Sequence, residues 1–317
     1  MKKKLTVKIE QLTEAQRSRI RSAAEKAGWE VCFADVEAAH PEHSEVVFSG
    51  DMALIRRCSG LKWLCVPSAG VEPYLAPGVL PSPDTLLTNS SGAYGVTIAE
   101  HVIMMTLELM RRQGEYTEIV RRREWVRDLP VRSIRGSRIA LLGTGDLGQE
   151  CAIRFRAFSP EGIVGVNRSG VNPRGLFDRV ETVEKIEEVL RWTNLLVITL
   201  PGTEETFRLL DARRLALLPD GAMVINVGRG SVIDQKAMEA ELRAGRLTAG
   251  LDVFEQEPLP GGDSMWDCPN LLITPHVAGN MTLPYTVDRI VELFLEDFEN
   301  YCAGRPLCRR VDLKRGY

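Results

Sequence analysis

Hydrophobic and polar residues follow two rhythms along this chain: short apolar runs of strand length, and apolar positions at helical spacing. Near the N-terminus, Thr13 and Gln16 have the spacing of a capping box and open a helix predicted to run to about Lys26, which Gly28 ends. Apolar runs follow at 31–33 and 46–48, and another at 61–66 leads into Pro67-Ser68-Ala69-Gly70. The prolines between Pro73 and Pro83 predict a loop. Ile98, Val102, Met105 and Leu109 are then spaced by four, three and four, so they share one face of a long helix. That helix is expected to join two domains.

From Arg138 the alternation becomes regular. Buried strands are predicted at 139–142, 163–166, 195–200, 223–227, 251–253 and 271–274. Most are separated by enough chain for a helix, which implies βαβ units and a parallel sheet. From about Pro284 the apolar residues Val287, Ile290, Val291 and Phe294 predict a last helix, with no separate regulatory domain expected after it. A chain of 317 residues suits two domains better than one. The fold class is α/β.

Composition narrows the function. Apolar residues make up 44% and charged residues 26%, the balance of an ordinary globular protein. A formal charge of −3 argues against nucleic acid as a partner. Arg121, Arg122 and Arg123 interleave with Glu115, Glu118 and Glu124, the pattern of a solvated helix face. Seven cysteines without C-x-x-C spacing imply neither a metal site nor a disulfide framework, and fit reduced thiols in a cytoplasm. The basic start has no hydrophobic signal core after it, and no run approaches the roughly 20 apolar residues of a membrane span.

Gly143-Thr144-Gly145-Asp146-Leu147-Gly148 has the form G-x-G-x-x-G, after a predicted strand and before a predicted helix. In that setting the glycines permit a tight turn and close approach of a pyrophosphate to helix N–H groups. The second strand closes on Asn167-Arg168-Ser169, where a carboxylate would repel a 2′-phosphate. Arg168 offers a forked donor and Ser169 a hydroxyl instead, so NADP(H) is expected over NAD(H), with NAD(H) admitted. The alternative is a solvated Arg168 with Asn167 accepting the ribose.

Three further segments place polar residues at strand ends: Asn226-Val227-Gly228-Arg229-Gly230, Asp252-Val253-Phe254-Glu255-Gln256-Glu257-Pro258, and Thr274-Pro275-His276-Val277-Ala278-Gly279. Their order and separation resemble the D-isomer-specific 2-hydroxyacid dehydrogenase family, from about Val46 to Gly304. Ser68-Ala69-Gly70-Val71, Ala99-Glu100-His101, Leu200-Pro201, Glu205-Thr206 and Trp266 also match.

The resemblance implies a Rossmann-type dinucleotide-binding domain, residues 99–283, inserted in a smaller flavodoxin-like substrate domain, residues 1–98 and 284–317. It implies that Arg229 grips the carboxylate and oxo oxygen of a small 2-oxo or 2-hydroxy acid. His276 would exchange a proton with that oxygen, and Glu257, bonded to the other ring nitrogen, would orient the ring and favour its charged form. Ala69, Gly70 and Val71 would receive the substrate carboxylate through backbone N–H groups. Asp252 would contact the nicotinamide carboxamide. Thr199, Leu200, Pro201, Thr206, Val227, Gly228 and Gly279 would complete the dinucleotide site, with Arg229 and His276 at the nicotinamide. His101 reads as packing or interdomain bonding rather than catalysis.

The implied reaction is reduction of a glyoxylate- or hydroxypyruvate-type acid by NADPH. Phosphoglycerate oxidation and a dinucleotide-sensing, corepressor-like scaffold are the alternatives. A homodimer built through the nucleotide domain is expected. Departures from the family pattern occur at Thr193-Asn194, Gly202 and Ser159-Pro160-Glu161, and none is expected to touch Arg229, Glu257 or His276.

Overall fold

The computed structural model describes residues 2–34, 36 and 41–316. The chain divides into two compact units, Met1–Tyr94 with Asn280–Tyr317, and Gly95–Gly279.

The first unit opens with β1 (Lys4–Lys8), α1 (Glu14–Lys26), β2 (Glu30–Phe33) and β3 (Val46–Ser49), then α2 (Met52–Arg56), β4 (Trp63–Cys65) and β5 (Leu86–Thr88). Thr13 caps α1 as its spacing implies: Gln16 N–H donates to Thr13 Oγ1 at 3.3 Å, and Thr13 N–H to Gln16 Oε1 at 2.8 Å. Gly28 takes φ +77° just past the helix, a conformation that carries no Cβ penalty for glycine. The strands are all parallel, in the order β2-β1-β3-β4-β5. The C-terminal helix Pro284–Cys302 returns to this unit, stacking Phe294 on Phe48 with centroids 4.1 Å apart and burying Val287, Ile290, Val291 and Phe298.

The second unit runs α3 (Gly95–Met110), α4 (Gln113–Arg121), β6 (Arg138–Leu142), α5 (Asp146–Arg156), β7 (Gly162–Asn167) and β8 (Arg179–Thr182). It continues through α6 (Ile186–Trp192), β9 (Leu195–Ile198), α7 (Ala212–Leu215), β10 (Met223–Asn226), α8 (Gln235–Arg243), β11 (Thr248–Leu251) and β12 (Leu271–Ile273). Its seven parallel strands lie in the order β12-β11-β10-β9-β6-β7-β8. The order reverses between β6 and β9, and in an open parallel sheet ligands bind beyond the strand C-termini at that switch point. Ala140, Leu142, Leu196, Ile198 and Val224 are fully buried around it, so the crevice rests on a rigid floor.

Several elements differ from their sequence-based expectations. The strand expected at 251–253 lies earlier, at Thr248–Leu251, because its register pairs Ala249 with Leu271 and Leu251 with Ile273. Asp252 still donates its N–H to Asn226 O at 3.0 Å, but its own carbonyl turns to His276 rather than to a ladder partner. The sheet also releases the chain after Ile198, leaving Thr199 and Leu200 in the crevice loop. Strand β8 was not foreseen: Arg179 is exposed and the next three residues are half-buried, so this edge strand has no apolar run. The long helix α3, expected as a connector, lies wholly in the second unit. It approaches β11 so closely that a Cβ on Gly250 would stand 3.0 Å from Met105 Cε.

The arginine-rich segment is a paired surface, with Arg121 bonded to Glu118 and Arg122 to Glu124. Among the described residues no helix is long and apolar enough to cross a membrane.

Candidate active site

The glycine loop between β6 and α5 uses its three glycines differently. Gly143 has φ +102°, and a Cβ there would fall 2.6 Å from Thr199 Oγ1. A Cβ on Gly148 would fall 2.1 Å from Gly143 O, so the third glycine lets the helix sit on its own loop. Gly145 is different: nothing lies within 4 Å of the position its Cβ would take. Its missing side chain therefore serves no internal packing and leaves open the approach to the first turn of α5, where helix N–H groups and the helix dipole favour an anion. Glycine-only approach, helix N-terminus and switch-point position together fit a nicotinamide dinucleotide's pyrophosphate.

Beyond β7 the Asn167 amide builds the next loop. Its Nδ2 donates to Thr144 Oγ1 at 2.7 Å and Val171 O at 2.9 Å, while its Oδ1 accepts from Ser169 N at 3.0 Å and Gly170 N at 2.7 Å. The side chain organises the loop that displays Arg168 and Ser169, both exposed. Arg168 Nη1 stands 4.0 Å from Glu205 Oε2. Thr206 closes the neighbouring turn, donating from Oγ1 to Pro201 O at 2.7 Å and accepting from Thr203 N at 2.9 Å.

Arg229 follows β10 in extended backbone, φ −138° and ψ 141°. Fully buried Asn226 fixes this loop through both ends of its amide: Oδ1 accepts from Gly228 N at 3.0 Å, and Nδ2 donates to Arg229 O at 3.0 Å. Gly228 allows the loop to press on the crevice, since its Cβ would lie 2.6 Å from Leu200 O. Gly202, a departure from the family pattern expected to stand clear of Arg229, abuts the arginine stem instead; a Cβ there would be 3.2 Å from Arg229 Cγ. The guanidinium is half-buried rather than enclosed, and Nη1 donates to Gly228 O at 2.8 Å.

Backbone contact links this arginine loop to the glutamate. A Cβ on Gly230 would stand 1.9 Å from Phe254 C, so the two main chains touch directly. Phe254 N–H donates to Glu257 Oε1 at 2.9 Å, and Glu257 Oε2 lies 2.6 Å from His276 Nδ1. A carboxylate only accepts, so Nδ1 carries the hydrogen and Nε2 is the nitrogen left for a ligand. The imidazole is 53% exposed, which makes that nitrogen accessible.

His276 has φ 54°, unusual for a non-glycine residue. Asp252 holds it there. The His276 N–H donates to Asp252 O at 2.8 Å, the Val277 N–H to Oδ1 at 2.9 Å and the Ala278 N–H to Oδ2 at 3.1 Å. Thr274 Oγ1 also donates to Oδ1, at 2.6 Å, and lies 3.0 Å from His101 Nε2, so the bond expected to cross between domains is instead made within the second unit. Burial pushes the His101 ring below its ordinary pKa, against the opposing pull of Asp252 at 3.7 Å.

In the first unit the loop after β4 has a one-sided bonding pattern. Val66 O accepts from Ser90 Oγ, Pro67 O from Tyr94 OH, Ser68 O from Ser90 N, Ala69 O from Asn89 Nδ2 and Gly70 O from Ser68 Oγ. Among the described residues the N–H groups of Ala69, Gly70 and Val71 donate to nothing. Consecutive free donors beside satisfied carbonyls suit an anion.

Sequence reasoning missed Asn226, Asn89 and Thr274 as organisers of these loops. Trp266, noted for its position, is 48% exposed and donates its indole N–H to Pro260 O at 2.8 Å.

Comparison with known proteins agrees with this geometry. A family profile described as D-isomer specific 2-hydroxyacid dehydrogenase, NAD binding domain, matches residues 103–278. Glyoxylate/hydroxypyruvate reductase A of Salmonella paratyphi C is 29% identical over 266 residues, covering 81% of this chain and 82% of that protein. A D-isomer specific 2-hydroxyacid dehydrogenase from Xanthobacter autotrophicus Py2, solved with NADPH and MES, is 30% identical with a TM-score of 0.81 and full coverage of both chains (100% each). An NADPH-dependent glyoxylate/hydroxypyruvate reductase from Sinorhizobium meliloti, solved with NADP and sulfate, is 27% identical, again with a TM-score of 0.81 and 100% coverage of each chain. A matched segment spanning more than half of the chain, on a sheet with the dinucleotide-binding strand order, places it plainly: this protein belongs to the D-isomer-specific 2-hydroxyacid dehydrogenase family of nicotinamide-dependent oxidoreductases.

Proposed function

We propose that this enzyme reduces a small 2-oxo acid of the glyoxylate or hydroxypyruvate type to the D-2-hydroxy acid, with NADPH as the preferred reductant. The hydrogen bond between His276 Nδ1 and Glu257 Oε2 carries the reading, because it leaves an exposed Nε2 to serve the oxo oxygen. A reduced nicotinamide, when held at this site, would supply the hydride equivalent that the second carbon of the acid takes up. As an imidazolium, with its Nδ1–H held by Glu257, His276 would give its Nε2 proton to the oxygen on that carbon and end as the neutral ring protonated at Nδ1. Arg229 presents a planar fork of donors matched to a carboxylate and the adjacent oxo group. The N–H groups of Ala69, Gly70 and Val71, within the first unit, are themselves suited to a carboxylate.

The pyrophosphate is assigned to the turn at Gly143, Gly145 and the first turn of α5, with Asp146, Leu147 and Gly148. Thr199, Leu200, Pro201, Val227 and Gly228 line the crevice loops, Thr206 braces the turn beside them, and Gly279 follows the histidine loop. Arg168 and Ser169 suit a 2′-phosphate, with Asn167 shaping their loop, and the NADP-bound Sinorhizobium enzyme supports that preference. Asp252 uses both carboxylate oxygens to hold the histidine loop, and its nicotinamide contact is proposed in addition to that role.

A homodimer is part of the same proposal. It is supported by Trp125, 88% exposed, and Val120, 65% exposed, two solvent-facing apolar side chains at and just past the end of α4.

The experiment is NADPH oxidation against a panel of 2-oxo acids, repeated with NADH and with His276→Ala. Turnover of glyoxylate or hydroxypyruvate, with higher kcat/KM for NADPH and loss in the variant, supports the proposal. Preference for NADH refutes the cofactor assignment, and saturable nucleotide binding without turnover of any acid favours the scaffold.

A further inference from the structure

The His101 ring lies on α3, far in sequence from the histidine read above as the proton donor, yet a continuous path of hydrogen bonds connects them. Thr274 has a single hydroxyl hydrogen, and at 2.6 Å it is committed to Asp252 Oδ1, which can only accept. The Thr274 oxygen can therefore only accept from His101, 3.0 Å away, so His101 carries its hydrogen on Nε2. The next link is Asp252, whose carboxylate takes the N–H groups of Val277 and Ala278 and whose carbonyl takes that of His276. Three successive backbone donors at the left-handed residue thus end on one aspartate, whose rotation is fixed by Thr274, which is fixed in turn by His101.

We infer that His101 is a positioning residue: its Nε2–H, through Thr274 and Asp252, sets the conformation of the loop that aims the His276 ring. The His101 side chain is 14% exposed, so solvent cannot readily replace a lost donor. Without that donor the Thr274 hydroxyl can turn away from Asp252, and the carboxylate loses one of the contacts that fix its rotation. The inference rests on the reading of His276 as the proton donor and adds the device that holds it in place.

The test compares His101→Phe, which keeps a ring but has no donor, with His101→Gln, whose amide nitrogen can donate to Thr274. The expected result is a fall in kcat of about tenfold or more for His101→Phe, since small displacements of a reacting group are costly, with KM for the 2-oxo acid nearly unchanged. His101→Gln should recover most of the rate. Thr274→Val should resemble His101→Phe, and the double variant should lose no more than either alone. A second readout is independent of turnover: nitrogen NMR of the imidazole at neutral pH should show His101 protonated at Nε2. Undiminished kcat in a folded His101→Phe enzyme, equal losses in the Phe and Gln variants, or a ring protonated at Nδ1 would overturn the inference. His276→Ala is assayed alongside. If that variant still turns over, the catalytic reading itself fails; if it is dead while His101→Phe is unimpaired, only the positioning role fails.

Discussion

Glu257 is held at both oxygens: Oε1 accepts the N–H of Phe254 at 2.9 Å, and Oε2 lies 2.6 Å from Nδ1 of His276. The carboxylate is thereby a fixed acceptor, and the imidazole it orients inherits that fixity. Replacing Glu257 by Gln preserves size but removes the charge and introduces donors that compete for Nδ1. The expected outcome is a drop in kcat of about tenfold to a hundredfold, against about a hundredfold to ten-thousandfold for His276→Ala, the range of general acid–base catalysis. Steady-state kinetics on glyoxylate or hydroxypyruvate measure both. Equal activity of Glu257→Gln and the parent would mean that the pair has no part in proton transfer.

The loop of Ala69, Gly70 and Val71, proposed to receive a carboxylate, makes a different prediction, because it concerns binding. Asn89 Nδ2 donates to Ala69 O at 2.8 Å and Asn89 Oδ1 accepts from Ser91 N at 3.2 Å, tying the loop to the chain after β5. Asn89→Ala frees the Ala69 carbonyl to turn toward the anion that the neighbouring N–H groups would hold. KM for the 2-oxo acid should rise by about tenfold, corresponding to roughly 1.4 kcal/mol, while the affinity for NADPH stays unchanged. A parallel loss of NADPH affinity would show that the variant disturbs more than this loop.

How much of this was legible in the sequence depends on the range of the interactions. Thr13 and Gln16, three residues apart, announce their capping box directly, and Gly28 announces the end of the helix. The strands around Leu142, Val166 and Val224 are fully or almost fully apolar and could hardly be read otherwise. Edge strand β8 was hidden because solvent covers Arg179 and partly covers its neighbours. The displacement of β11 is a matter of register, set by pairing with β10 and β12, which local pattern does not encode. His101 and Thr274 are 173 residues apart, and neither has a neighbour that reveals the bond. Asn226 lies in a motif already noted for Arg229, yet its organising role needs the loop's three-dimensional turn to be seen.

The glycine loop separates binding from folding in a way that two alanine substitutions can test. At Gly145 an added methyl meets no protein atom within 4 Å and φ is −72°, so Gly145→Ala should leave the melting temperature essentially unchanged. Its methyl would instead occupy the approach to α5, and NADPH should bind about tenfold more weakly or worse, a loss of roughly 1.4 kcal/mol. At Gly148 the methyl would sit 2.1 Å from Gly143 O, and backbone must move to accommodate it. Gly148→Ala should destabilise the protein by about 1–3 kcal/mol, the usual penalty of overpacking. Thermal melts and nucleotide titrations on both variants decide it; a large destabilisation by Gly145→Ala would show that the space above that residue is needed by the fold.

The last prediction concerns acid. Burial lowers the pKa of His101 from its ordinary 6.5, while Asp252 at 3.7 Å partly resists the shift. The unfolded chain therefore takes up a proton at this ring at a higher pH than the folded protein does. In the interval between the two pKa values the unfolded state binds more protons, so stability rises with pH there. The contribution is complete above pH 6.5, declines as pH falls below it, and is fully lost once the pH passes below the folded-state pKa. Urea unfolding at a series of pH values from 7.5 downward should show this decline in the parent and a shallower one in His101→Gln, whose amide does not titrate. Carboxylates contribute their own slope at lower pH in both proteins, which is why the difference between the two curves is the relevant quantity. Coincident curves through the whole interval would mean that the folded protein protonates His101 as readily as the unfolded chain does, and that burial of this ring carries no electrostatic penalty.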